Sequence, residues 1–134
     1  DALDRADIVT MHRPGNQDGS PVMTGQDFSR MRKGSVLINT ARGTLFDEDA
    51  LYQALTNGPL GAAGLDVTRD EPPASDLPLL SLDNVMFSPH IAGVTREAFR
   101  AMGLRAVQNC LDAIDGKLDP YYLINPEVLQ SGDG

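Results

Sequence analysis

A chain of 134 residues, 41% apolar and 22% charged, has the length of one domain and a composition that excludes wholesale disorder. Eleven basic against nineteen acidic residues leave a net charge of −8, which speaks against a nucleic-acid partner or an anionic membrane surface and for plain solubility. A single cysteine, Cys110, excludes an internal disulfide, and no apolar run reaches the roughly 18 residues of a spanning helix, so a cytoplasmic protein is expected.

The chain opens as DALDRADIV, with no initiator methionine and no signal peptide. It reads as the end of a helix entering a strand, so an N-terminal part of a longer protein is expected before it. An apolar run at Asp7–Met11 predicts the first strand, Thr24–Arg32 a short helix, and Ser35–Asn39 the second strand. Asp47–Asn57 is a stronger helix. Asp47 can cap it, Glu48 and Asp49 suit its positive end, and Leu51, Ala54 and Leu55 share a face before Gly58 and Pro59 stop it. Ala62–Val67 predicts the third strand, Thr68–Pro78 a proline-rich loop, and Asn84–Ser88 the fourth strand. The longest helix is expected over Thr95–Asp115. There Leu104, Val107, Leu111 and Ile114 recur at steps of three and four and mark a buried face, with Gly116 placed to end it. Asp119–Gly134 reads as a loosely ordered tail.

The first three apolar runs are about 28 residues apart, the length of a strand–helix–strand unit. Consecutive apolar positions suit strands buried on both faces, so the fold class is α/β, a parallel sheet with flanking helices. Ligands of such sheets lie beyond the carboxyl ends of the strands. Those ends carry His12-Arg13-Pro14-Gly15, Thr40-Ala41-Arg42-Gly43, Asp66 with Asp70 and Glu71, and Pro89-His90-Ile91-Ala92-Gly93.

Each candidate has an ordinary and a functional explanation. Arg42 is either a solvated arginine, free or paired with Asp47, or an anion clamp that grips a carboxylate with two hydrogen bonds while Gly43 lets the backbone turn. His90 is either a structural loop histidine or a proton-transfer group; Pro89 restrains its approach and Gly93 leaves space nearby. Glu71, ahead of two prolines that stiffen its loop, is either a solvated acid or the partner that orients His90. Asp66 ends a buried strand and needs a hydrogen-bonding partner, either a ligand amide or backbone amides. Metal binding finds little support: His12 and His90 lack helical spacing, and Cys110 has no second cysteine and reads as a small apolar helix residue. A serine hydrolase finds little either, because no G-x-S-x-G elbow occurs.

The segments VLINTARGTLFDEDAL, GAAGLDVTRDEPP and NVMFSPHIAG resemble the D-isomer-specific 2-hydroxyacid dehydrogenases, and HIAGVTREAF points to their phosphoglycerate dehydrogenase-like branch. The likeness runs from about Ala6 to Glu127. It implies a Rossmann-like NAD-binding domain, with residues 1–118 a part of that domain and 119–134 a tail returning to a substrate domain. It implies that Arg42 holds the substrate carboxylate and polarises its carbonyl, that His90 is the general acid/base, and that Glu71 pairs with His90. Asp66 would hold the nicotinamide carboxamide, and Thr40 and Ala41 would line the nicotinamide pocket. His12 and Pro14 match the cofactor-contacting turn, and Arg42, His90 and Gly93 belong to the same cofactor-binding set. The implied reaction is hydride transfer between NAD and a small 2-keto or 2-hydroxy acid, with NADP left open. The implied assembly is a homodimer through the nucleotide domain.

Two departures accompany the likeness. The G-x-G-x-x-G turn of the family, with its downstream acid, is absent, and Gly58, Gly61 and Gly64 do not reproduce its spacing. The Rossmann-like fold is therefore expected to be incomplete, and the isolated chain to lack turnover for want of a pyrophosphate cradle. The loop Gly15–Pro21 also lacks the threonines usual in the family. An alternative reading is a non-catalytic, nucleotide-sensing scaffold of the corepressor kind, which keeps the same residue types; another is a truncated product without activity.

Overall fold

Four parallel strands, hydrogen-bonded in the order β1-β2-β3-β4, form the sheet of the protein. They are β1 (Ile8–Met11), β2 (Ser35–Asn39), β3 (Leu60–Leu65) and β4 (Val85–Phe87). The computed structural model describes residues 2–130. The chain divides into two units, one ending at Ala92 and one beginning at Gly93. All four strands lie in the first, so their carboxyl ends share one edge.

Helix α1 (Gly25–Ser29) links β1 to β2, and α2 (Glu48–Thr56) links β2 to β3. The start of α1 is set by the Asp27 carboxylate, which accepts from the Thr24 backbone N–H and hydroxyl, each at 2.9 Å. The start of α2 is set by Asp47, whose Oδ1 accepts from the Ala50 N–H at 2.9 Å. Both helices meet the same face of the sheet. Leu37, Leu45, Phe46 and Leu51 are fully buried there, joined by Phe28, Leu65 and Leu79.

The strand registers place Leu37, Ala63 and Val85 on the covered face. Ile8, Val36, Ala62, Gly64 and Met86 lie on the other. That second face is open at its edges, with Ile8 61% and Met86 77% exposed. The expectation of strands buried on both faces is thus corrected. Consecutive apolar residues record a two-sided strand, but α1 and α2 both cross on one side.

Boundaries also move. The third strand begins and ends two residues earlier than the apolar run predicts, because its pairing with β2 starts at Ser35–Leu60. Helix α1 stops at Ser29 rather than Arg32, its last turn already loosened into the Gly34 turn at φ 82°. Beyond β3 the proline-rich loop runs as read to a 3-10 turn at Pro78–Ser81.

The second unit holds α3 (Arg96–Ile114), capped by Thr95, whose Oγ1 accepts from the Ala98 N–H at 3.1 Å, and closed by Gly116 at φ 68°. None of its residues is buried, and Leu104, Val107, Leu111 and Ile114 are more than half exposed. The buried face read from the sequence is corrected here. An apolar stripe records what a helix is shaped to cover, and burial depends on a surface arriving to cover it. The tail is more regular than read. Two 3-10 turns, Pro120–Tyr122 and Pro126–Gln130, follow α3, and the Arg105 guanidinium lies 4.9 Å from the centre of the Tyr122 ring. Residues 131–134 of the expected tail lie outside the described residues.

Candidate active site

The carboxyl edge of the sheet gathers the candidate residues on loops shaped by buried polar side chains. At the end of β2, Asn39 is fully buried. Its Oδ1 accepts from the Ala41 N–H at 3.0 Å, and its Nδ2 donates to the Arg42 carbonyl at 2.8 Å. A buried amide must find such partners, and here they bend Thr40-Ala41-Arg42 into a fixed turn. The turn leaves Arg42 exposed, its Nη1 donating to the Ala41 carbonyl at 2.6 Å. Asp47 caps α2 instead of pairing with Arg42.

At the end of β3, Asp66 is 4% exposed. Its Oδ1 accepts from the Ser88 hydroxyl at 2.5 Å and the Ile91 N–H at 2.9 Å, and its Oδ2 from the Ala92 N–H at 2.8 Å. The backbone explains the pair of amides. His90 sits in the left-handed region at φ 53°, and the N–H groups that follow form a concave donor pair suited to an anion. A non-glycine residue in that region costs about 1–3 kcal/mol unless its surroundings hold it, and Asp66 does so. Burial works to raise the Asp66 carboxyl. The Ser88, Ala92 and Ile91 hydrogen bonds, with the nearby His90, outweigh burial and hold it below the usual carboxylate range.

Glu71 and His90 come together from different loops. His90 Nδ1 lies 2.6 Å from Glu71 Oε2, and Glu71 Oε1 accepts from the Thr68 N–H at 3.3 Å. The hydrogen bond from His90 is the largest influence on Glu71. Burial opposes it, but with the Thr68 amide it keeps this carboxyl below its usual range. An ionised carboxylate only accepts, so Nδ1 carries a proton and Nε2 is left as the reactive nitrogen. The pair opens on a cavity of about 490 Å³, lined by Asp66, Thr68, Pro72, Phe87 and Pro89 among others. That is the size of a small-molecule site.

The other candidates are more dispersed. His12 follows β1 and is exposed, its Nε2 lying 2.9 Å from Thr10 Oγ1. The Pro14 carbonyl accepts from Arg13 Nε at 3.2 Å. Thr40 and Ala41 belong to the Asn39 turn, and Gly93 opens the second unit. No motif in the sequence marks Asn39 or Ser88. Their one signal was a polar side chain at the mouth of an apolar run.

The chemistry of this edge fits the nicotinamide end of a dinucleotide. Asp66 uses three of roughly four acceptor positions, which leaves one on Oδ2 for a carboxamide N–H. The glycine-rich turn that would hold a pyrophosphate is not in the sequence.

Residues 1–92 match the family described as D-isomer specific 2-hydroxyacid dehydrogenase, NAD binding domain. The chain is 40% identical over 126 residues to a glyoxylate/hydroxypyruvate reductase B of Klebsiella pneumoniae, covering 94% of this chain and 39% of the relative. It is 40% identical over 114 residues to a D-3-phosphoglycerate dehydrogenase of Archaeoglobus fulgidus, covering 85% of this chain and 22% of that one. Among solved structures, D-lactate dehydrogenase from Aquifex aeolicus, complexed with NAD and lactic acid, superposes with a TM-score of 0.77 at 31% identity, covering 87% of this chain and 39% of that chain. The chain therefore spans about two fifths or less of the length of these proteins. It belongs to the D-isomer specific 2-hydroxyacid dehydrogenases, and its parallel sheet is part of their NAD-binding domain.

Proposed function

We propose that this chain carries the acid–base pair and the carboxylate clamp of an NAD-dependent oxidoreductase acting on a small 2-keto or D-2-hydroxy acid. The observation that carries the reading is the 2.6 Å contact between His90 Nδ1 and Glu71 Oε2 at the carboxyl edge of the sheet. The relatives named as glyoxylate, hydroxypyruvate and phosphoglycerate enzymes support the substrate class.

Bound NADH supplies the hydride for the reductive direction. Arg42 grips the substrate carboxylate through its planar guanidinium and sets the keto carbon in line. As negative charge grows on the keto oxygen, protonated His90 gives up the Nε2 proton to it. Glu71 holds the ring through Nδ1 and balances its positive charge. In oxidation neutral Nε2 takes the hydroxyl proton. Asp66, with Thr40, Ala41, His12, Pro14 and Gly93, is assigned to the nicotinamide end of the cofactor.

The natural setting is read as a longer protein that adds a pyrophosphate cradle and a substrate domain. Residues 119–134 return to that domain, and two copies pair through the nucleotide domain. In that protein, His90→Gln is expected to cut NADH-dependent reduction of glyoxylate by about a hundredfold or more, with NADH binding retained. Unchanged turnover would remove His90 from the mechanism. The 134-residue chain alone is expected to bind the substrate anion weakly and to turn nothing over; measurable NADH oxidation by it would overturn that part.

A further inference from the structure

A second set of contacts joins the Arg42 loop to the Glu71 loop, and the chemistry above makes no use of it. Glu48 opens α2, and its Oε1 accepts from the Arg69 backbone N–H at 2.9 Å, across 21 residues of sequence. Beside this bond the two backbones touch. A Cβ placed on Gly43 would stand 2.0 Å from the Thr68 carbonyl carbon and oxygen and 2.4 Å from the Arg69 nitrogen. Residue 43 must therefore be glycine for the contact to exist.

Each end of this junction leads to a reacting group. On one side, Gly43 follows Arg42, whose carbonyl is held by buried Asn39. On the other, Thr68 precedes Arg69, and its N–H holds the Glu71 oxygen opposite the one facing His90. The linkage runs from Asn39 through the Arg42 turn to Thr68 and Arg69, then to Glu71 and His90. Within it, the Glu48 side chain pins a backbone atom of the distant loop.

We infer that Glu48 is a positioning residue. It sets the spacing between the guanidinium that holds the substrate carboxylate and the imidazole that handles the proton on the neighbouring carbon's oxygen. The inference rests on the roles proposed for Arg42, Glu71 and His90. A substrate of two or three carbons offers no slack between its carboxylate and its keto oxygen, so a small drift of one loop against the other misplaces the proton transfer.

Glu48 also has an ordinary duty, since a carboxylate in the first turn of a helix favours its positive end. Two conservative variants separate the duties. Glu48→Gln keeps an oxygen that accepts from Arg69 and loses the charge. Glu48→Asp keeps the charge and, one methylene shorter, loses the reach. In the 134-residue chain, amide exchange at Arg69 is expected to accelerate about tenfold in Glu48→Asp, the ratio a typical net hydrogen bond supports, and to stay near wild type in Glu48→Gln. In the longer protein, Glu48→Asp is expected to lower kcat for glyoxylate about tenfold with KM for NADH unchanged, and Glu48→Gln to retain kcat.

The reverse order, with Gln impaired and Asp intact, assigns Glu48 to the helix start and overturns the inference. Two variants that both behave as wild type overturn it as well. His90→Gln, measured alongside, keeps the two readings apart. If it leaves turnover intact, the proposed function fails; if it abolishes turnover while Glu48→Asp is fully active, the positioning role alone fails.

Discussion

Helices α2 and α3 start alike and end differently. Each opens on an oxygen-bearing cap, Asp47 or Thr95, that accepts from the amide three residues on, and each carries an apolar stripe. In α2, nine residues long, Leu51, Ala54 and Leu55 are buried against the sheet. In α3, nineteen residues long, no residue is buried. Capping and periodicity are local and make the helix; burial needs a second surface at the right distance. The comparison also shows where this chain is self-sufficient. The covered face of the sheet, with its loops at the carboxyl edge, is internally partnered.

The largest effect that sharpens this contrast is at Leu51. Leu51→Ala is expected to cost about 3 kcal/mol, because a fully buried side chain leaves a cavity under α2. Urea unfolding of the first unit would measure it, and a loss below about 1 kcal/mol would mean that α2 is not the packed element described. Next comes Gly43→Ala. The Cβ meets the Thr68 carbonyl at 2.0 Å, so the Arg42 and Glu71 loops must separate, at a cost of about 2 kcal/mol. Thermal unfolding gives the cost, and cross-peaks between residues 43 and 68 in the NMR spectrum should disappear.

Acid provides the third test. Asp66 and Glu71 are both held below the ordinary carboxylate range in the folded chain. The unfolded chain therefore takes up their protons first, so this stability is fully present above about pH 5 and is lost as pH falls through the folded values. Asp66→Asn removes its share and should flatten the decline in Tm between about pH 5 and pH 3. An unchanged slope would mean that Asp66 does not hold the His90 loop through its charge. The smallest effect belongs to α3. Leu111→Ala should change stability by no more than about 0.5 kcal/mol, because that side chain is 52% exposed. A loss near that of Leu51→Ala would break the contrast and show that α3 is covered in solution.

Much of the candidate site was legible in the primary structure. Arg42, Glu71 and His90 stand just after apolar runs and Asp66 at the end of one, where a parallel sheet places its ligands, and the motifs around them resemble one family. What holds those residues was not legible. Asn39 and Glu48 read as a strand end and a helix start, and their partners, the Arg42 carbonyl and the Arg69 amide, are backbone groups that no residue pattern announces. The sequence leaves Asp66 open to a ligand amide or backbone amides; in the fold three protein donors surround it, and one acceptor position remains.

Order along the chain, the α/β alternation, the helix cap at Asp47 and the stop at Gly116 follow from the sequence by itself, because each depends on residues within one turn or one strand. The tertiary structure alone decided three things. It set which sheet face is covered, that α3 keeps its stripe exposed, and that the Arg42, Glu71 and His90 loops are tied to one another. These are long-range matters. They depend on which surfaces meet once the strands have paired, and a periodic pattern states that a surface wants a partner without naming it.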